Sequence, residues 1–322
     1  MTPDVTDGAV TGMAGTGDRN GARETGKSID TLAIRDLRLR FRGYTETTTV
    51  LHGISMRVAP EQRVALVGES GSGKTVIARA ILGLLQLLPG AIVNGDIDFE
   101  GQDLTGLTTR AWRRLRGVRM SMIFQDPTSS LNPVFTIGEQ FHEVHRRADP
   151  AIRRSVSGDR AAAILEEVSI TEPDRVLESY PFQLSGGMNQ RVMIAMAMAN
   201  EPALLIADEP GTALDVTVQD QTLRLMRRLV DSHRTSVLFI SHNLGVVREF
   251  ADRVYVIYQG RIVEEGPSAA IFRDPRHAYT QALMAAAPRI TGGGIPDVSE
   301  DEPAFLAPRE VHPPEPTPTG DG

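Results

Sequence analysis

Apolar and polar residues alternate from Leu32 to Phe41, the period of a strand with one face buried. A second strand is predicted over Gly53–Val58, closed by the turn Pro60-Glu61-Gln62. Arg63–Val67 is a short, nearly continuous apolar run that leads straight into a glycine-rich stretch. After that stretch Val76–Leu85 has helical spacing, as do Asp159–Val168, Met188–Ala199 and Val218–Val230. Leu204–Ala207, Ser236–Ile240 and Val254–Ile257 are unbroken apolar runs of strand length, the pattern of strands covered on both faces of a parallel sheet. The mixture predicts an α/β fold, and no internal repeat interrupts it.

The pattern fades at both ends. Residues 1–29 are rich in Gly, Thr and Asp, and 291–322 in Pro, Glu and Gly. Such segments bury too little apolar surface to offset the entropy of ordering them, so both are expected to be disordered tails. Composition adds mainly exclusions. Of 322 residues, 41% are hydrophobic and 23% charged, as in an ordinary soluble globular chain. The net charge of −7 gives no support to a partner that is nucleic acid. The absence of cysteine rules out disulfides, thiolate metal sites and thiol catalysis. No apolar run approaches the roughly 20 residues that span a bilayer, so any work at a membrane is expected to go through a partner. The N-terminus lacks the basic and apolar regions of a secretory signal.

Three stretches carry chemistry. Gly68-Glu69-Ser70-Gly71-Ser72-Gly73-Lys74-Thr75 fits G-x-x-x-x-G-K-S/T at every fixed position, with a predicted strand before it and a helix after. Its glycines let backbone N–H groups curl toward phosphate oxygens, Lys74 reaches the β- and γ-phosphates, and the Thr75 hydroxyl is placed for Mg²⁺. Leu204–Glu209 is an apolar strand ending in two carboxylates. Asp208 is read as part of the Mg²⁺ shell and Glu209 as the group that polarises the attacking water. Alone such an ending usually marks only a strand meeting solvent; the phosphate loop upstream changes its weight. Ser185-Gly186-Gly187, opening a predicted helix, is a second anion cradle. One chain needs one phosphate loop, so a second cradle suggests contact with a nucleotide held by another subunit.

With these motifs the chain resembles the ABC ATPases over Leu32–Arg289. Gly68–Thr75 resembles their Walker A loop, Leu204–Glu209 their Walker B strand and Leu184–Arg191 their signature. Phe124–Pro127 is similar to the Q-loop, and the resemblance implies that Gln125 senses Mg²⁺ and the attacking water and links ATP to the membrane partner. Thr212–Asp215 is similar to the D-loop, which brings Asp215 to the partner's nucleotide, and Ile240–Asn243 to the switch, in which His242 meets the γ-phosphate. An aromatic residue is expected on the adenine, and Phe41 and Tyr44 both stand where the family places it. Arg276–Leu283 with Ala287-Pro288-Arg289 resembles the tail of the oligopeptide/dipeptide/nickel importer ATPases. Gln125–Pro133 and Ala213–Gln219 point to the same subfamily. That tail carries no assigned chemistry; Tyr279–Ala287 reads as an amphipathic helix packed on the domain. The chain departs from the subfamily in three places: no cysteine for an iron–sulfur cluster, Asn189 in place of Arg, and Gly211 in place of Thr or Ser.

The resemblance implies a P-loop core with a mixed β-sheet, an N-terminal antiparallel β subdomain and an inserted α-helical subdomain. The ATPase domain is expected over 30–266, the helical insert over about 127–198, and an importer-type extension over 267–290. It further implies ATP and Mg²⁺, a head-to-tail pair with a second ATPase subunit (identical or paralogous), and two membrane permease subunits. An extracytoplasmic binding protein would act indirectly, and the chain would sit peripherally on the cytoplasmic face of the plasma membrane. The expected activity is ATP hydrolysis energising uptake of peptides or a similar small solute, nickel chelates included. The alternative is a soluble ABC ATPase acting on nucleic acid or the ribosome, a class that often carries two cassettes, zinc cysteines or long coiled coils, none of which is present.

Overall fold

The computed structural model describes residues 29–43, 46–85, 88–125, 130–210, 216–286 and 309–310. At its centre lie three five-residue strands, β3 (Arg63–Val67), β7 (Leu204–Asp208) and β8 (Ser236–Ile240). They are almost wholly apolar and almost wholly buried, so the interior of a sheet is the environment that satisfies them. They pair in parallel with each other, with β6 (Met120–Ile123) and with β9 (Arg253–Tyr258). The antiparallel strand β10 (Arg261–Pro267) extends the sheet, and the short β11 (Arg309–Glu310) adds to its edge, giving the order β11-β10-β9-β3-β8-β7-β6.

Alternation along the strands divides the core in two. Val64, Leu66, Ile206, Leu238, Ile240 and Ile257 point to one face, where they meet helix α1 (Lys74–Ile81) and a second sheet. That sheet is antiparallel, in the order β2-β1-β4-β5, from β1 (Leu32–Arg42), β2 (Thr47–Val58), β4 (Ala91–Phe99) and β5 (Gln102–Asp103). Ala65, Val67, Ala207, Phe239 and Val256 point to the opposite face, against helices. A period of two thus yields three layers, an α/β fold with mixed and antiparallel sheets.

Element ends depart from the periodicity for identifiable reasons. β2 starts at Thr47 rather than Gly53, because its first threonines are exposed on both faces yet pair with β1, Arg42 opposite Thr47 and Phe41 opposite Thr48. α1 stops at Ile81 rather than Leu85. Gly83 turns left-handed there (φ +62°), and a Cβ on it would lie 2.2 Å from the Trp112 ring. The Arg116 guanidinium also takes the Leu82 and Gly83 carbonyls, at 2.6 and 2.9 Å. β4 gives no alternating signal because Asn94-Gly95-Asp96 faces a bulge of β1. Gly95 (φ +100°) lets the Asp36 carbonyl approach to within 2.4 Å of where a Cβ would stand.

Helix α2 (Thr109–Leu115) lies before β6, and the described residues between β6 and β7 include the helices α3 (Ile137–Ala148), α4 (Arg154–Glu167), α5 (Pro173–Glu178) and α6 (Gly186–Met198). α3 begins in a capping box, the Thr136 hydroxyl on the Glu139 N–H and the Glu139 carboxylate on the Thr136 N–H. Phe141, Leu165, Val176 and Val192 join these helices in one buried cluster. Phe141 is fully buried, so Phe141→Ala is expected to cost about 3–5 kcal/mol through lost transfer energy and the cavity left behind, read as a lowered denaturant midpoint. Helices α7 (Val216–Ser232) and α8 (Leu244–Phe250) cover the same face as this cluster. Past β10 come α9 (Ser268–Arg273) and α10 (Ala278–Ala286), anchored by the buried Ile271 and Tyr279.

Candidate functional site

The phosphate-type loop bridges the end of β3 and the start of α1, and its glycines are dictated by space. A Cβ on Gly68 would stand 2.1 Å from the Ile257 carbonyl oxygen, so the loop passes against β9 closer than any side chain permits. Gly73 caps α1 in the left-handed region (φ +109°), with Leu51 2.8 Å from where its Cβ would be. Because α1 begins at Lys74, its first N–H groups have no acceptor within the helix and carry the positive end of its dipole. The Ser72 hydroxyl is buried with no hydrogen-bond partner among the described residues. A buried hydroxyl left without a partner, beside open N–H groups, suits an anionic ligand.

Lys74 is buried, its Nζ donating to the Gly68 and Glu69 carbonyls at 2.7 Å each. Burial pushes its pKa down, opposed by the carboxylates of Glu209, Asp208 and Glu69. Thr75 Oγ1 donates to Asp208 Oδ1 at 3.3 Å. Burial raises the Asp208 pKa, and the Thr75 hydrogen bond pulls it back. Hydroxyl and carboxylate therefore meet at the end of β7, beside the foot of α1.

Glu209 leaves β7 in the left-handed region (φ +50°), its N–H held by the Ile240 carbonyl at 2.8 Å. That conformation is uncommon for a residue with a Cβ and is found where a site requires a side chain to be aimed. One carboxylate oxygen lies 3.0 Å from His242 Nδ1, and the other accepts from Gln125 Nε2 at 3.2 Å. An ionised carboxylate only accepts, so the His242 proton sits on Nδ1 in this pair. Three residues from three strand ends, Gln125 after β6, Glu209 after β7 and His242 after β8, thus converge on one point.

The second cradle opens α6. Ser185 is its N-cap, the hydroxyl accepting from the Met188 N–H at 3.3 Å. A Cβ on Gly186 would meet nothing within 4 Å. Ser185 and Gly187 line a cleft of about 370 Å³ together with Arg175 and Arg191, and no residue of Gly68–Thr75 lines it. Asn189 is buried, and its amide donates to the Pro181 carbonyl at 2.9 Å, tying the cradle helix to the turn before it. Its departure from the subfamily's arginine thus has a local structural use.

Phe41 lies near the end of β1, half-buried and paired with Thr48 and Ala91. Tyr44, Gly211, the D-loop 212–215 with its Asp215, the second half of the Q-loop (126–127) and the expected tails apart from Ile29, Arg309 and Glu310 lie outside the described residues. Arg309 and Glu310 correct the expectation of a wholly disordered C-terminal tail, because their backbone pairs with the edge of β10 at Glu264 and Glu265. Two contacts to the loop were not anticipated from the sequence. The Gly260 N–H donates to the Ser72 carbonyl at 3.1 Å, and the Tyr279 hydroxyl accepts from the Glu69 N–H at 3.0 Å. Tyr279 belongs to a stretch whose spacing marks a helix, and no periodicity reveals which element the hydroxyl of a helical tyrosine will meet.

Residues 51–212 match the family model described as ABC transporter, and residues 263–308 match that of the oligopeptide/dipeptide transporter C-terminal region. The chain is 49% identical over 258 residues to the peptidoglycan transport ATP-binding protein YejF of Agrobacterium fabrum, a match covering 80% of this chain but only 47% of that one. It is 45% identical to the oligopeptide transport ATP-binding protein OppD of Bacillus subtilis, covering 82% of this chain and 73% of the relative. Against the probable D,D-dipeptide transport ATP-binding protein DdpD of Escherichia coli it is 44% identical, covering 80% and 78%. In structure it is similar to the dimeric bacterial ABC transporter cassette MJ0796, with a TM-score of 0.65 at 24% identity over 74% of this chain and 98% of that one.

Proposed function

The chain belongs to the ATP-binding proteins of the ABC transporters, and from that premise we propose that it is the ATP-hydrolysing subunit of a peptide importer. The observation that carries the reading is the convergence of Gln125 and His242 on the Glu209 carboxylate, at 3.2 and 3.0 Å, beside the Lys74 loop. In this reading Gly68–Thr75 cradle the phosphates, Lys74 exchanges its two carbonyl partners for phosphate oxygens, and Phe41 or Tyr44 lies against adenine. Glu209 then takes the proton of the attacking water, while Gln125 and His242 hold water and γ-phosphate in line. Catalysis here is positioning and charge stabilisation, with no covalent intermediate on the protein.

The donor set fits Mg²⁺. Thr75 and Asp208 offer hard oxygens side by side, and among the described residues no three or more acidic, histidine or cysteine side chains are placed to hold a metal ion by themselves. Mg²⁺ favours this arrangement, one or two protein oxygens with phosphates and water making up the rest. When bound it would neutralise charge on the phosphates.

Ser185–Gly187 and Asp215 would complete the site of a second ATPase subunit. Gly186→Asp tests the cradle in trans. Its new side chain meets open space within this chain, so the unfolding midpoint should hold. Turnover should fall at least about tenfold, because a carboxylate against phosphate is a like-charge pair.

Among the described residues no helix is long and apolar enough to cross a membrane. The reading therefore adds two separate permease subunits, a peripheral position on the cytoplasmic face of the plasma membrane, and a binding protein acting from the far side. Peptide is favoured as solute by the 263–308 match and by the names of the relatives. The test is purification with a multi-span membrane pair, reconstitution in vesicles and assay of ATPase with binding protein and peptides. Stimulation by peptide is expected. Recovery with RNA or ribosomes instead, and no membrane partner, would overturn the importer reading.

A further inference from the structure

The phosphate loop is gripped by a segment that no role has yet been assigned to. We propose that Tyr279 is a positioning residue for ATP, its hydroxyl holding the Glu69 N–H so that the segment after β10 sets the shape of the phosphate loop. The inference rests on the reading of Gly68–Thr75 as the ATP site.

Tyr279 is 3% exposed, and its ring lies 4.3 Å from that of Tyr258, tilted by 38°. Its hydroxyl accepts from the Glu69 N–H at 3.0 Å, and burial pushes its pKa up to about 12, so it stays neutral under working conditions. The placement of the ring is built from below. Glu264, fully buried in β10, accepts the N–H groups of Arg276 and His277 at 2.8 and 3.1 Å. His277 Nδ1 in turn accepts the Tyr279 N–H at 3.2 Å, and Gln281 Nε2 donates to the Pro275 carbonyl at 2.8 Å. Every link from β10 to the hydroxyl is therefore a hydrogen bond or a buried ring, a stiff strut rather than a loose tail.

The strut meets the loop at a telling residue. The Glu69 carbonyl receives Lys74 Nζ at 2.7 Å while its N–H is held by Tyr279. When Lys74 swings to phosphate, Glu69 loses the first contact and keeps the second. Tyr279 then helps to hold the first turn of the loop in the shape that nucleotide needs. The cost of shaping the loop falls on binding itself if the hydroxyl is removed.

Tyr279→Phe keeps the ring and its packing and deletes only the hydroxyl. Tyr258→Phe is the control: it deletes a neighbouring hydroxyl, the acceptor of Gln259 Nε2 at 3.0 Å, whose bond lies outside the loop. Both variants and the unaltered full-length chain are titrated with a non-hydrolysable ATP analogue, and their unfolding midpoints are recorded without nucleotide. Tyr279→Phe should weaken binding about three- to tenfold, the size of one ordinary hydrogen bond, and Tyr258→Phe should bind as the unaltered chain does. Unchanged affinity in Tyr279→Phe, or equal weakening in both variants in step with their midpoints, would overturn the proposal. If the unaltered chain binds no analogue, the ATP site itself is misread and the proposal falls with it; binding by the unaltered chain isolates the test to Tyr279.

Discussion

Glu209→Gln is expected to lower ATP turnover by about two to four orders of magnitude while ATP affinity is kept. The substitution preserves the shape of the side chain and an oxygen that can still accept from Gln125 Nε2 or His242 Nδ1, which sit 3.2 and 3.0 Å from the native carboxylate. What it removes is the basic oxygen pair and one negative charge. An amide cannot take a proton from water, so the chemical step stalls. The lost charge also relieves repulsion against the γ-phosphate, so the bound and closed state should accumulate rather than weaken. The two halves are checked together: phosphate release in a single-turnover experiment, and ATP-dependent dimer formation by size-exclusion chromatography. Robust hydrolysis by the variant would remove Glu209 from the role of base. Loss of ATP binding would instead mean that the carboxylate supports the loop.

How far the sequence could carry this depends on what each residue's neighbours are. β3, β7 and β8 were legible because four apolar residues in a row, flanked by turn signals, have few alternatives to a covered sheet, and their ends then place Asp208, Glu209 and His242 at one edge. The glycines of the loop were legible as a motif, though the reason for Gly68 was not: the obstacle is the Ile257 carbonyl, 189 positions away (257 − 68). β4 was missed because its polar Asn94–Asp96 stretch answers a bulge in another strand rather than the core. The end of α1 was misjudged because an arginine and a tryptophan from α2 and its C-cap decide it. Tyr279 shows the same limit at the functional site. Its packing followed from helical spacing, but its hydrogen bond to Glu69 is a property of the assembled fold alone. Local pattern thus shows which residues could act, while long-range approach determines what restrains them.

Lys74→Ala is expected to have the opposite signature, a loss of ATP affinity of about 10- to 100-fold, the worth of charge-assisted hydrogen bonds to phosphate. The ammonium is the one cation of the loop motif, and it is buried where its attraction to phosphate is poorly screened. Burial lowers its pKa, but the carboxylates of Glu209, Asp208 and Glu69 oppose that shift and favour the charged form that phosphate requires. Removal also strips the Gly68 and Glu69 carbonyls of their 2.7 Å donor, so the loop in the variant relaxes as well as losing its charge. Lys74→Arg separates the two effects: it restores the charge, but a planar fork does not fit a site shaped for a point donor, so only part of the affinity should return. Calorimetric titration with MgATP gives the affinities directly. If Lys74→Ala binds as tightly as the unaltered chain, phosphate is held elsewhere and the loop is structural. If it fails to bind while Glu209→Gln binds and closes, capture and cleavage are assigned to different side chains, and the closed pair forms only after Lys74 has engaged the phosphates.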